Sequence, residues 1–157
     1  MIYKALFLLR ISNKFIKQAL DNLKVFVYGT LKPGEWNYQR YCAGKVVEAK
    51  RAIAQGLLFA LPAGYPAMTP GNTPVHGFLL SFANSGILLE LDQLEDYHPS
   101  RPVEQNEYYR EQIITYDPDE RSLKPAWAYM MTFEQVSRRK GVLLPAGWWS
   151  SCGFSSS

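Results

Sequence analysis

The chain has 157 residues, 47% hydrophobic and 20% charged, a size and balance that suit one domain with a sizeable core. A net charge of +3, with no basic stripe and no recognition motif, argues against a nucleic-acid partner; the one dense basic run, Arg138-Arg139-Lys140, reads as a solvated loop. Cys42 and Cys152 stand far apart without CxxC or Cys/His spacing, so neither a metal site nor a disulfide framework is expected, and the composition fits a reducing cytoplasm.

Residues 1–24, MIYKALFLLRISNKFIKQALDNLK, keep a rough helical spacing of apolar residues at Leu8, Ile11, Phe15, Leu20 and Leu23. Five basic residues stand there against one acid, Asp21. Three readings follow: a translation start placed too far upstream, an ordinary docked helix, or a basic amphipathic helix lying on a membrane surface. Arg10 cuts the apolar run short and no small-residue cleavage site follows, which speaks against a signal peptide. No apolar run reaches about 18 residues, so stable membrane insertion is not expected.

The domain proper is expected over 25–149. Val25–Tyr28 reads as a buried strand that stops abruptly at Gly29, Thr30 and a Lys-Pro-Gly turn. YQRYCAGK, at 38–45, reads as a short helical or irregular stretch. VVEAKRAIAQGLLFAL, at 46–61, gives one or two strands broken near Gly56, and PAGYPAMTPGNTPVHG, at 62–77, a long Pro/Gly loop before the strand GFLLSFA. Asn84 or Ser85 then caps a helix over 85–97, stopped by Pro99. A polar insertion, HPSRPVEQNE, leads to the alternating strand YYREQIITY, and Asp117-Pro118-Asp119 turns the chain toward the strand PAWAYMMTF. The small, polar tail at 150–157 is expected to be disordered. Strands outnumber helices without regular βαβ alternation, so the fold class is α+β with a curved, mostly non-parallel sheet.

The chemistry has few candidates. GEWNYQRYCAGK lacks the spacing and the Ser/Thr of a phosphate loop, and neither GxGxxG nor GxSxG occurs. Nothing couples Cys42 to His76 or His98, and a buried structural cysteine is the better reading. The helix over 85–97 says more. At about 100° per residue, Ile87, Leu88, Leu91 and Leu94 form one apolar stripe. Glu95 falls within about 50° of its middle, whereas Asp92 and Asp96 lie more than about 100° away and face solvent. A buried carboxylate costs several kcal/mol unless it is paired or protonated. Glu95 therefore either pairs with an arginine such as Arg110, reaches water at the helix end, or is a functional acid. The strand-end loop beside it would supply backbone N–H groups and a hydroxyl, which suits an enzyme with one proton shuttle and neither a covalent nucleophile nor a metal.

VFVYGTLKPG at 25–34, YPAM at 65–68, HGFLL at 76–80, LDQLEDY at 91–97 and AWAY at 126–129 come in an order that resembles the γ-glutamylcyclotransferase-like (AIG2-like) family, and within it the γ-glutamylamine cyclotransferase branch. The resemblance covers about residues 25–135. It implies a small mixed β-barrel with helices packed around it. It also implies a reaction: the α-amine of a γ-glutamyl group attacks its own γ-carbonyl, closing 5-oxoproline and expelling an amine or amino acid. By resemblance Glu95 matches the general acid/base, and Tyr28, Gly29, Thr30 and Leu31 match the cradle for the glutamyl head. Tyr129 matches a pocket tyrosine, with Tyr65 and Pro66 as a pocket wall; Tyr129 is equally readable as an ordinary residue of an amphipathic strand. No cofactor is implied, and the expected partner is a small γ-glutamyl substrate. A non-catalytic binding module on the same fold is the alternative, because fold does not fix function. A third reading is removal of a γ-glutamyl protecting group from a larger acceptor. Residues 1–24 and HPSRPVEQNE fall outside the family's common pattern, so the resemblance does not reach the acceptor side of the pocket.

Overall fold

The computed structural model describes residues 2–153, apart from the side chains of residues 15, 18–21 and 153. Of the tail expected to be disordered, Ser151–Gly153 forms a single 3-10 turn, and residues 154–157 lie outside the described residues.

Helix α1 (Ile2–Asp21) comes first, with Leu6, Leu8 and Leu9 exposed; Phe15 and Leu20 of the expected stripe lie outside the described side chains. No helix among the described residues is long and apolar enough to cross a membrane. Strand β1 (Leu23–Val27) follows and lies mid-sheet. It pairs antiparallel with β3 (Pro66–Phe82), from Leu23↔Phe82 to Val27↔Phe78, and parallel with β6 (Ala126–Met130) at Val25↔Trp127. Its side chains alternate between two apolar clusters. Val25 and Val27 join Leu80, Phe82, Ile87 and Leu91 on one face, while Phe26 and Tyr28 join Leu58, Met68, Val75 and Leu79 on the other. Burial on both faces is why this segment reads as a continuous apolar run.

The longest ladder joins β2 (Val46–Ala60) to β3, antiparallel from Val46↔Phe82 to Ala60↔Pro66. Two expectations are corrected here. The break near Gly56 is a shift of register inside one continuous strand, and most of the supposed loop 62–77 is strand. Gly56 pairs with Thr73 but Leu57 with Thr69, so Pro70, Gly71 and Asn72 bulge out of the ladder. A bulge tolerates a proline, which has no N–H to donate, and this is how a Pro/Gly-rich sequence lies within a sheet.

Strand β4 (Tyr109–Ile113) pairs antiparallel with β6 at one edge, and β5 (Thr115–Tyr116) and β7 (Val142–Leu143) pair with β2. The order is β4-β6-β1-β3-β2-β5, with β7 beside β2, in a sheet of seven strands that curls into a half-barrel flanked by helices. Helix α2 is Trp36–Tyr41, and α4 (Phe133–Arg138) starts at a capping box between Thr132 and Gln135.

Helix α3 is shorter than the spacing predicts, Ile87–Leu94, with Gly86 at its N-terminus and Asn84 Oδ1 accepting from the Gly86 N–H at 2.8 Å. It ends before Pro99 is reached, because Glu95 leaves the helical region and Asp96 turns left-handed at φ 49°. Ile87 and Leu91 are its buried residues, as the stripe requires. Cys42 is fully buried, and burial pushes its thiol up to about 11, away from reactivity.

Candidate active site

A cavity of about 220 Å³ opens where β1 ends. Tyr28, Gly29, Thr30 and Leu31 form one wall, Tyr65 and Pro66 at the start of β3 another, and Glu95 and Tyr129 close the rest. The eight residues singled out from the sequence thus share one cavity. They arrive from four places: the loop after β1, the entry to β3 at Tyr65 and Pro66, the end of α3, and β6.

The loop after β1 is pinned from within. The Lys32 N–H donates to the Gly29 carbonyl at 3.1 Å, and the Asn37 N–H donates to the Thr30 carbonyl at 3.0 Å. Asn37 Nδ2 also donates to Thr30 Oγ1 at 2.9 Å, so the threonine hydroxyl accepts from behind and keeps its own proton to offer. Gly29 is needed for a packing reason: a Cβ there would stand 2.7 Å from Pro66 Cγ. The loop and the β3 wall therefore touch through a missing side chain. The Tyr28 hydroxyl donates to the Tyr129 carbonyl at 2.5 Å and accepts from the Met68 N–H at 3.2 Å. That phenol braces three strands, and what Tyr28 leaves for a ligand is backbone.

Glu95 stands at the C-terminal end of α3. Its N–H donates to the Leu91 carbonyl at 2.9 Å, and its carbonyl accepts from the Tyr108 N–H at 3.3 Å. Among the described residues its carboxyl has no ion pair. Burial, followed by the nearby charge of Glu107, pushes its pKa up to about 8. A carboxyl group so placed can take up and return a proton near neutral pH.

Arg110, the partner the sequence offered to Glu95, bonds Asp92 instead. Its Nη1 lies 3.0 Å from each Asp92 oxygen, and the Tyr129 hydroxyl donates to Asp92 Oδ1 at 2.7 Å. The Asp92 side chain is only 14% exposed, which corrects the solvent-facing expectation. The curl of the sheet carries β4 and β6 along the flank of α3, so a residue well off the apolar stripe still meets protein. Asp96 is exposed, as the spacing predicts, and carries a surface pair with Arg101.

Sequence reasoning missed Trp36, Asn37, Glu107 and Tyr108, which also line the cavity. Tyr108 is buried and donates from its hydroxyl to the Pro66 carbonyl at 2.8 Å. Alternation along YYREQIITY held a signal for an inward tyrosine there. Glu107 lies in the polar insertion and carried none. Its Oε1 accepts from the Tyr65 hydroxyl at 2.6 Å, and burial and this carboxylate together push the Tyr65 phenol up to about 12. Among the described residues no group of three or more His, Cys, Asp and Glu side chains gathers as a metal-ligand set.

A family profile described as gamma-glutamyl cyclotransferase, AIG2-like, matches residues 25–151. The chain belongs to this family. Among solved structures, an AIG2-like protein from Mus musculus superposes with a TM-score of 0.60 at 20% identity, over 82% of this chain and 88% of that one. YkqA from Bacillus subtilis gives a TM-score of 0.57 at 21% identity, over 82% of this chain; the chain spans only 39% of YkqA. A structure described as a gamma-glutamyl cyclotransferase gives 0.50 at 17% identity, over 71% of this chain and 68% of that one. At these identities the likeness is one of fold. No curated protein matches the chain in sequence.

Proposed function

We propose that this member of the gamma-glutamyl cyclotransferase, AIG2-like family is an active γ-glutamyl cyclotransferase, cyclising a γ-glutamyl group to 5-oxoproline and releasing an amine or amino acid. The observation that carries the reading is Glu95: a carboxyl group with raised proton affinity and no ion pair among the described residues, lining a cavity whose opposite wall is the backbone loop after β1. The glutamyl head sits against Tyr28–Leu31, held by backbone N–H groups and the Thr30 hydroxyl. Ionised Glu95 takes a proton from the α-amine as that nitrogen attacks the γ-carbonyl. The developing oxyanion is met by loop donors. Glu95 then returns the proton to the departing nitrogen as the C–N bond breaks, so the carboxyl group ends as it began. Nucleophile and electrophile share one molecule, and a cavity that holds the folded-back conformer supplies much of the rate.

The test is 5-oxoproline release from a panel of γ-glutamyl-amino acids, γ-glutamyl-amines and glutathione, with parent and Glu95→Gln proteins side by side. Release by the parent and none by the variant is expected. Full activity in Glu95→Gln removes Glu95 from the mechanism, and silence of both proteins across the panel favours a binding module.

A further inference from the structure

Two cavities meet at Tyr65 and Glu107. The first holds Glu95 and the loop after β1. The second, of about 560 Å³, is lined by Tyr65 and Glu107 together with Glu104, Asn106, Gln135 and Arg139, and its lining is polar or charged throughout. If the glutamyl head fills the first, as the cyclotransferase reading on which this inference rests requires, the leaving group has to point out of it. The second cavity offers room directly beyond the wall that Tyr65 and Glu107 share.

Glu107 stands at that junction with its side chain 27% exposed. Among the described residues both contacts of its carboxylate fall on one oxygen: Oε1 accepts from the Tyr65 hydroxyl at 2.6 Å and lies 3.6 Å from Arg139 Nη1. Among the described residues, Oε2 has no partner. Tyr65 fixes where the carboxylate points, and the arginine, at 40% side-chain exposure, neutralises it only in part. Among the described residues, Glu107 is also the charged neighbour whose field reaches Glu95. The second cavity carries three acids, Asp96, Glu104 and Glu107, against two arginines, Arg138 and Arg139, so a leaving group ending in a carboxylate meets an excess of like charge. One ending in an ammonium would find Oε2 open.

We infer that Glu107 is a specificity-determining residue, its Oε2 receiving a second, positively charged amino group at the far end of the leaving amine, which extends into the polar cavity beyond Tyr65. The substrate class this selects is the γ-glutamylated diamine or other cationic amine, in preference to amines with apolar or anionic ends.

Two conjugates of matched length test this: γ-glutamyl-diaminopentane, which ends in an ammonium, and γ-glutamyl-hexylamine, which ends in a methyl group. The readout is the ratio of their kcat/KM values within each protein. The parent is expected to favour the diamine conjugate about fivefold, mostly through KM, as a partly exposed ion pair allows. Glu107→Gln should bring the ratio close to unity, and Arg139→Gln, which removes the competing guanidinium, should enlarge it. A parent that is indifferent, or a Glu107→Gln protein that keeps the parent's ratio, overturns the assignment while leaving the cyclotransferase reading in place. If neither conjugate is turned over, the panel of γ-glutamyl-amino acids, γ-glutamyl-amines and glutathione decides the cyclotransferase reading, and calorimetric titration of parent and Glu107→Gln with the diamine conjugate decides the subsite. Binding that weakens in the variant sustains it; equal or absent binding overturns it.

Discussion

Tyr129 donates to Asp92 Oδ1 at 2.7 Å while Arg110 Nη1 reaches both oxygens of the same carboxylate at 3.0 Å. One side chain thus ties α3 to β6 and β4, one turn before the residue that presents Glu95 to the cavity. Arg110 also lies over the Trp127 ring, 4.7 Å from its centroid, so the clasp is packed as well as bonded.

Removing that carboxylate leaves a largely buried guanidinium without its charge partner. Asp92→Asn should destabilise the protein by about 2–3 kcal/mol, and Tyr129→Phe, which removes one hydrogen bond, by about 1 kcal/mol. Urea unfolding of both variants measures this. An Asp92→Asn loss no larger than that of an exposed pair such as Lys45 and Glu90 would show that the clasp holds nothing.

Glu95 should make the fold less stable as pH rises. Its folded pKa, about 8, stands above the ordinary 4.5, so between those values the folded state holds a proton that the unfolded state has released. The stability this proton represents is complete below about 4.5 and is lost as pH rises through about 8. Glu95→Gln cannot titrate. Its melting temperature should exceed the parent's on the alkaline side of the window and converge with it on the acid side. Parallel melting curves across this range would mean that Glu95 is not held in a protonating environment.

The same shift should appear in turnover under the proposed mechanism. The base form of Glu95 is needed to accept the amine proton, so kcat/KM should climb as pH passes about 8. Burial is the larger cause of the shift and Glu107 the smaller. Glu107→Gln should therefore move the climb to lower pH without returning it to the range of a free carboxylate. A pH–rate profile of the two proteins on a neutral substrate decides this, and coincident profiles would disconnect the two acids.

Gly29→Ala brings a methyl group to within 2.7 Å of the Pro66 ring. Neither a proline ring nor a strand end yields easily, so the loop should shift away from β3, at a cost of about 1–3 kcal/mol and with weakened binding of the glutamyl head. Pairing the change with Pro66→Ala should recover part of both losses. A double variant no better than the single would place the strain elsewhere.

Much of this architecture is readable in the sequence where one residue pattern answers to one physical demand. A five-residue strand buried on both faces leaves an unbroken apolar run, and Glu95 projects inward because the stripe of α3 carries it there. Asp92 misleads because the helical wheel assumes solvent opposite the stripe, whereas the curled sheet reaches around. Pro66–Thr73 hides its strand because prolines and glycine signal loops, and only pairing with β2 shows that Pro66 lies opposite Ala60 while the bulge absorbs Pro70 and Gly71. Glu107 is invisible to local pattern: a polar residue in a polar insertion acquires meaning only from what the chain folds beside it.

Because β1 sits mid-sheet between β3 and β6, the loop at its end is built on partners far away along the chain: Val27 faces Phe78, Val25 faces Trp127, and the Tyr28 hydroxyl bridges to Tyr129. Closing the chain over such separations costs entropy that only the assembled sheet offsets. The cavity therefore exists only where all of these pairings do, and a chain with nothing but its β2–β3 ladder formed has no such cavity. During refolding, recovered activity would count finished molecules only.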